Sequence, residues 1–341
     1  VTPVGERPVA VVTGASAGVG RATAVAFARK GYAVGLIARG RSGLDAAAAD
    51  VRAAGGAALV LPCDVSDAAA VSAAADRCAA ELGPIDVWVN GAMVAVLAFV
   101  HETDPQDIRR VTEVCYLGTV NGTLAALAHM RPRGRGSIVQ VGSAMAYRAI
   151  PLQASYCGAK FAIRGFTDAL RVELLREGSA IGLTMVQLPG LNTPQFTWVR
   201  TTLRHHPRPV PPVFQPEVAA DAIVHAAEHP RRELWVTARS SAIIALDKLA
   251  PWAGDRYLAR TNVEDQQQPD VPIDPARPDY VHAPLDGDGP DRGAHGPFDD
   301  EARSRSLQLA LVKRRGLVGA IAATAAGATA AGAAVLARRR G

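Results

Sequence analysis

The sequence predicts an α/β fold, a mainly parallel, doubly wound sheet with helices on both faces. Three observations carry that expectation. Short apolar runs of strand length alternate with longer Ala-rich runs up to about residue 250. A glycine-rich turn joins the first apolar run to the first helical run. A chain of 341 residues, 49% of them hydrophobic, can build a core on both sides of a sheet.

The elements follow in order. Pro8-Val9-Ala10-Val11-Val12-Thr13 reads as the first strand, and Gly14-Ala15-Ser16-Ala17-Gly18-Val19-Gly20 as a turn. Residues 21–30 continue as an Ala-rich helix closed by Gly31. Strand, glycine turn and helix are the parts of a dinucleotide site. Glycines let the backbone approach a pyrophosphate, and a helix N-terminus offers unpaired N–H groups and a favourable dipole. Residues 32–39 form the second strand, and further strands are expected near 57–62, 85–90, 136–142, 180–188 and 233–237, with helices between them.

Tyr156 and Lys160 stand four residues apart, which puts them on one helix face about a turn from each other. Ser143 lies thirteen residues before the Tyr, at the end of an apolar strand. The Lys ammonium favours the phenolate, so the Tyr pKa is expected to fall from about 10 toward neutrality. A phenol tuned in this way is a general acid for a carbonyl oxygen, and a Ser hydroxyl can bond the same oxygen. The chain has only six Tyr and four Lys, which makes a chance pairing uncommon.

Together these motifs resemble the short-chain dehydrogenase/reductase family. Thr13, Gly14, Gly18 and Gly20 match its Thr-Gly-x-x-x-Gly-x-Gly turn, and Ser143, Tyr156 and Lys160 match its Ser–Tyr–Lys signature. The resemblance covers residues 6–250 and implies a Rossmann-type sheet in the order 3-2-1-4-5-6-7. It also implies a homo-oligomer, with Tyr156 as proton donor, Lys160 holding the nicotinamide ribose and Ser143 positioning the carbonyl. Cofactor contacts are implied at Gly14, Ser16, Gly18, Val19, Gly20 and Asn90, at Asp64 for the adenine, and at Pro189, Gly190 and Thr193 on the nicotinamide side. Two residues depart from the pattern. Met93 replaces the last Gly of the segment after the fourth strand. Cys115 stands where the family has an Asn that holds a proton-relay water, and Cys is a poor substitute in hydrogen bonding.

The end of the second strand bears on the cofactor. Ala38 occupies the place of the acid that would bond a ribose 2′-OH, and Arg39 follows it. A guanidinium suits a 2′-phosphate, so NADP(H) is favoured over NAD(H); the alternative is a solvated loop cation at Arg39. The segment 191–215 brings Phe196, Trp198, Leu203 and Phe214 with several prolines. It points to a lipophilic carbonyl or alcohol as substrate, unless these groups pack on the domain itself. Arg148 is a further candidate for binding substrate.

The net charge of +5 does not indicate nucleic acid, because the 33 Arg are scattered and aromatics make up only 5%. The four Cys show no metal-like pairing and read as buried free thiols. His205-His206 reads as a solvated loop. No metal site is expected.

Three regions are expected. Residues 6–260 form the catalytic domain. Residues 261–310, rich in Pro, Asp and Gly, form a linker or wrapping tail. Residues 311–341 form a C-terminal hydrophobic helix, since 317–337 carry no charge and basic clusters flank them. That run suggests a membrane anchor beneath a cytoplasmic catalytic domain. The expected activity is NADP(H)-dependent hydride transfer between a carbonyl and an alcohol. The alternatives are a cofactor-binding scaffold or sensor at a membrane, or an epimerase or isomerase on the same fold.

Overall fold

Alternation along each strand divides the core between two layers. In β1 (Val9–Thr13), Val9 and Val11 point to one layer and Ala10 and Val12 to the other; all four are fully buried. In β5 (Ser137–Ser143), Ile138 and Val139 divide in the same way. Burying each such side chain contributes roughly 1.5–3 kcal/mol. The computed structural model describes residues 7–238, 244, 247–274, 276–285 and 291–314.

The other sheet strands are β2 (Ala33–Ala38), β3 (Ala57–Pro62), β4 (Ile85–Asn90), β6 (Gly182–Leu188) and β7 (Glu233–Trp235). They form one seven-stranded parallel sheet in the order β3-β2-β1-β4-β5-β6-β7, as expected from the sequence. Helices α1 (Gly18–Arg29) and α2 (Arg41–Ala53) pack on one face with α7 (Pro216–Glu228). On the other face lie α3 (Ala68–Leu82), α4 (Pro105–Val111), α5 (Gly118–Met130) and α6 (Ala154–Arg176). The strand order reverses between β1 and β4, which opens a crevice at the carboxyl ends of the strands.

Local chemistry sets several boundaries. Asp67 caps α3 by accepting from Ala70 N at 3.0 Å, and Asp104 caps α4 ahead of Pro105. Gly31, at φ +87°, ends the first helical segment. A π-helical turn, Thr112–Leu117, joins α4 to α5 and contains Cys115. Nothing in the periodicity of the sequence announces it.

Beyond α8 (Pro251–Thr261) the polar segment packs on the domain. Gln267–Pro272 pairs antiparallel with His205–Pro207, so the two His lie in a half-buried strand rather than a solvated loop. Farther on, Val281 is fully buried and Phe298 packs edge-on against Phe196. Three apolar side chains, Tyr280, Val281 and Phe298, thus anchor a stretch whose composition left a linker and a wrapping tail both open.

The chain then enters α9 (Leu307–Lys313). Ser306 caps this helix, Leu309 is buried, and Lys313 pairs with Asp221 of α7 at 2.6 Å. Residues 311–313, expected to begin a hydrophobic helix, instead end a short helix docked on the domain. The rest of the expected anchor, 315–341, lies outside the described residues. Among the described residues no helix is long and apolar enough to cross a membrane.

Candidate active site

The floor of the crevice is built by close contact between two turns. Thr13, at the end of β1, accepts hydrogen bonds from Gly91 N and Ala92 N at 2.9 and 3.1 Å. Gly14 has φ +73°, and a Cβ there would stand 2.9 Å from Ala92 Cα; a Cβ on Gly20 would meet the Gly14 carbonyl oxygen at 2.1 Å. Helix α1 has no side-chain cap and no acidic residue in its first turn. Its amide groups and dipole therefore face the crevice as an anion site. A dinucleotide pyrophosphate fits this cradle.

Ser143 ends β5 and is buried, and Tyr156 and Lys160 follow on successive turns of α6. Ser143 accepts from Met145 N at 3.2 Å, and its hydroxyl lies close enough to the Tyr156 phenol to lower its pKa. Lys160 donates to the Val141 carbonyl at 2.7 Å and lies 5.3 Å from the centre of the Tyr156 ring.

The expected fall in the Tyr156 pKa is not what this arrangement produces. Burial pushes it well above the usual phenol value, with Cys115, Cys157 and Tyr280 adding to the rise and the nearby Ser143 hydroxyl opposing it. Burial also lowers the Lys160 pKa, against a weaker opposing effect of Cys115. The ammonium is held by a carbonyl and lies against the ring, so desolvation outweighs its attraction for a phenolate. At neutral pH the phenol is protonated, which is the form a proton donor needs.

Cys115 is buried and donates its thiol to the Val94 carbonyl at 3.2 Å; burial raises its pKa. The thiol and Lys160 are close enough to influence each other's titration. Cys115→Asn is expected to keep the fold and raise turnover several-fold, because an amide can hold a water that a thiol cannot. Steady-state kcat checks this. A loss of more than about tenfold would show that the π-turn has packed around sulfur. All four Cys are free and buried, as expected.

At the nucleotide end the expected contacts are already engaged. Arg39 donates to the carbonyls of Tyr280 and, at 3.2 Å, Val281. Asp64 accepts from Ser66 N at 3.0 Å and Ser66 Oγ at 2.8 Å, and it pairs with Arg110. Burial alone would raise the Asp64 pKa, but Ser66 and Arg110 outweigh it and hold the carboxyl below its usual value. Asn90 does not reach the crevice. Its side chain accepts from Trp88 Nε1 at 2.8 Å and donates to Thr123 and Gln140 in a buried network. The neighbouring Gly91 and Ala92 line the crevice instead.

One cavity of about 1510 Å³ connects these groups. Apart from Asn90, every catalytic or cofactor residue expected from the sequence lines it: Gly14, Ser16, Gly18, Val19, Gly20, Arg39, Asp64, Ser143, Tyr156, Lys160, Pro189, Gly190 and Thr193. Of the apolar groups expected at the pocket, Phe196 and Trp198 line it, while Leu203 and Phe214 pack in the core. Its far wall is apolar, with Leu97, Ile150, Phe196, Trp198, Val199 and Val210. Arg148 also lines the cavity, but it pairs with Asp247 at 2.9 Å and Asp255 at 2.7 Å.

The sheet, with its glycine turn at the switch point and a buried Ser, Tyr and Lys along the same cavity, defines an oxidoreductase of the dinucleotide-binding class. The chain belongs to the short chain dehydrogenase family, whose profile matches residues 8–203. It is similar to the uncharacterized oxidoreductase YxnA of Bacillus subtilis, with 32% identity over 260 residues that span 76% of this chain and 73% of that one. It is also similar to a fatty acyl-CoA reductase of Acinetobacter baylyi, with 30% identity covering 66% of this chain and 74% of the relative. Among solved structures, an alcohol dehydrogenase from the archaeon Thermococcus sibiricus complexed with 5-hydroxy-NADP has 26% identity and a TM-score of 0.57. That alignment covers 67% of this chain and 96% of the other.

Sequence reasoning missed Arg110, Tyr280, Val281 and Asp291. A signal for two of them was present: Tyr280-Val281 is an apolar island in a polar, Pro-rich stretch. Arg110 has no sequence signature at all.

Proposed function

We propose that this protein is an NADP(H)-dependent reductase or dehydrogenase that interconverts a lipophilic carbonyl compound and its alcohol. The observation that carries the reading is the meeting of Ser143, Tyr156 and Lys160 beside an apolar wall in one cavity with the glycine turn. A bound nicotinamide would supply or accept the hydride. Tyr156 donates the proton to the carbonyl oxygen, and Ser143, whose hydroxyl lines the same cavity, holds that oxygen beside it. Lys160 holds the ribose and places a positive charge next to the phenol.

Preference for NADP(H) is supported by Arg39 at the end of β2, where no carboxylate would repel a 2′-phosphate. The complex of the archaeal relative with an NADP derivative points the same way. A lipophilic substrate is supported by the wall around Phe196 and Trp198 and by the relative named as a fatty acyl-CoA reductase. Self-association is supported by Leu124, Phe161, Val172 and Leu175, which α5 and α6 leave exposed. Membrane attachment rests only on the uncharged run 317–337.

The test is a panel of aliphatic and aromatic ketones, aldehydes and alcohols with the full chain, each assayed with both cofactors. Turnover is expected with NADPH on the longer apolar members. Arg39→Asp is expected to weaken NADPH roughly a hundredfold more than NADH, through a lost guanidinium–phosphate contact and an added like charge. Equal use of both cofactors by the parent protein would defeat the cofactor assignment.

A further inference from the structure

Four hydrogen-bond donors that a dinucleotide phosphate would need, or that stand beside it, are held by the chain's own C-terminal extension. The Arg39 guanidinium donates to the carbonyls of Tyr280 and Val281, and the Val281 carbonyl also accepts from Arg110 Nε at 3.2 Å. At the uncapped end of α1, Gly18 N donates to the Gly293 carbonyl at 3.0 Å. One turn on, Arg21 pairs with Asp291 at 2.5 Å. These contacts come from two stretches of the extension, 276–285 and 291–299, and both reach the same crevice.

The chemistry of the contacts is that of a stand-in. Burial, and then the neighbouring Arg110 guanidinium, lower the Arg39 pKa and so disfavour its charge. Both guanidinium groups need electron-rich partners, and carbonyl oxygens supply them. Asp291 brings a carboxylate to the end of α1, where the dipole favours negative charge. A 2′-phosphate and a pyrophosphate are the stronger partners for the same donors, since they carry full charge. The two sets compete for the same N–H groups. A phosphate at Arg39 would stand against the Tyr280 and Val281 carbonyl oxygens, and Gly18 has one N–H to give.

We propose that residues 276–285 and 291–299 form an autoinhibitory strap that occupies the phosphate-binding donors of the cofactor groove and that NADP(H) binds by displacing it. The proposal rests on the dinucleotide reading given above. The strap is seated by the fully buried Val281 and by Tyr280, whose hydroxyl accepts from Ala95 N at 2.9 Å and whose ring meets Trp198 edge-on. Its outer anchors lie away from the groove. Arg277 donates to the Thr197 carbonyl at 2.6 Å, and Asp279 pairs with Arg200 at 2.8 Å. Tyr280 packs on the same apolar cluster as Tyr156 and lines the same cavity, so displacement opens the substrate end as well as the nucleotide end.

The anchors provide the test. In the full chain, the double variant Arg277→Ala, Asp279→Asn leaves every groove donor in place and weakens only the strap. Isothermal titration with NADP+ is expected to give a Kd about tenfold lower than in the unmodified protein, within the usual range of coupling between sites. Hydrogen exchange on the unmodified protein gives a second reading that needs no variant. Adding NADP+ is expected to speed exchange of the amides in 280–285 and at Gly293 and Gly296.

Unchanged or weaker NADP+ affinity in a folded double variant overturns the proposal. So does slower exchange of those amides with NADP+, which would make the strap a lid that closes over cofactor. Should the double variant not fold, the exchange result decides alone. NADP+ binding to neither protein removes the cofactor reading and the strap proposal together, and is distinguishable from binding that the strap does not affect.

Discussion

Tyr156→Phe is expected to lower carbonyl turnover by about a thousandfold while leaving NADPH affinity within about twofold. The substitution deletes one hydroxyl and nothing else. That hydroxyl is the proposed proton donor, and burial keeps it protonated at neutral pH. The ring, which packs on two apolar clusters of the core, stays in place. Lys160→Ala should behave differently and lower both turnover and cofactor affinity, because its ammonium is tied to Val141 at the end of β5 and faces the groove. Stopped-flow reduction and fluorescence titration of NADPH separate the two effects. A near-parental rate in Tyr156→Phe would mean that another group donates the proton.

Gly20→Ala carries the second large expectation, a loss of both stability and cofactor binding. An added Cβ would lie 2.1 Å from the Gly14 carbonyl oxygen and 2.6 Å from its carbon. Both are backbone atoms of a tight turn and cannot step aside. The first turn of α1 must therefore shift, at a cost of about 1–3 kcal/mol for an overpacked site. In a domain of this size that lowers the melting temperature by several degrees, on the order of 2–4 °C per kcal/mol. NADPH affinity should fall at least about tenfold, since the displaced N–H groups are those that would receive the pyrophosphate. Gly165→Ala is the control. Its Cβ would meet nothing within 4 Å on the solvent side of α6, so it should gain about 0.5–1 kcal/mol from helix propensity. Thermal unfolding of the pair tests the contact itself rather than the loss of a glycine. Equal melting temperatures would show that the turn is looser than the contact implies.

What could be read from the sequence was local. A run such as Val9-Ala10-Val11-Val12 is a strand because every second side chain is apolar on both faces, and that pattern needs no partner to be seen. The glycine turn and the i, i+4 placement of Tyr156 and Lys160 are also properties of neighbouring residues. The sheet order came from the family resemblance that these motifs carry. The amide of Asn90 looked like a cofactor contact, since its motif gives no direction for the side chain. Only the packing of β4 against α5 and β5 turns that amide inward to Thr123 and Gln140.

The sequence by itself determined the alternating elements, the cofactor turn and the Ser–Tyr–Lys set, because each is written in short spacings and in the period of apolar residues. The tertiary structure decided the electrostatics and the occupancy of the groove. Whether Lys160 lowers the Tyr156 pKa depends on how much protein surrounds the phenol, and burial there overrides a charge one turn away. What Arg39 bonds depends on a segment some 240 residues farther along the chain. Composition left that segment open between a linker and a wrapping tail, and Tyr280, Val281 and Phe298 seat it on the domain. Desolvation and long-range contact are sums over every neighbour in space, and no spacing along the chain encodes them.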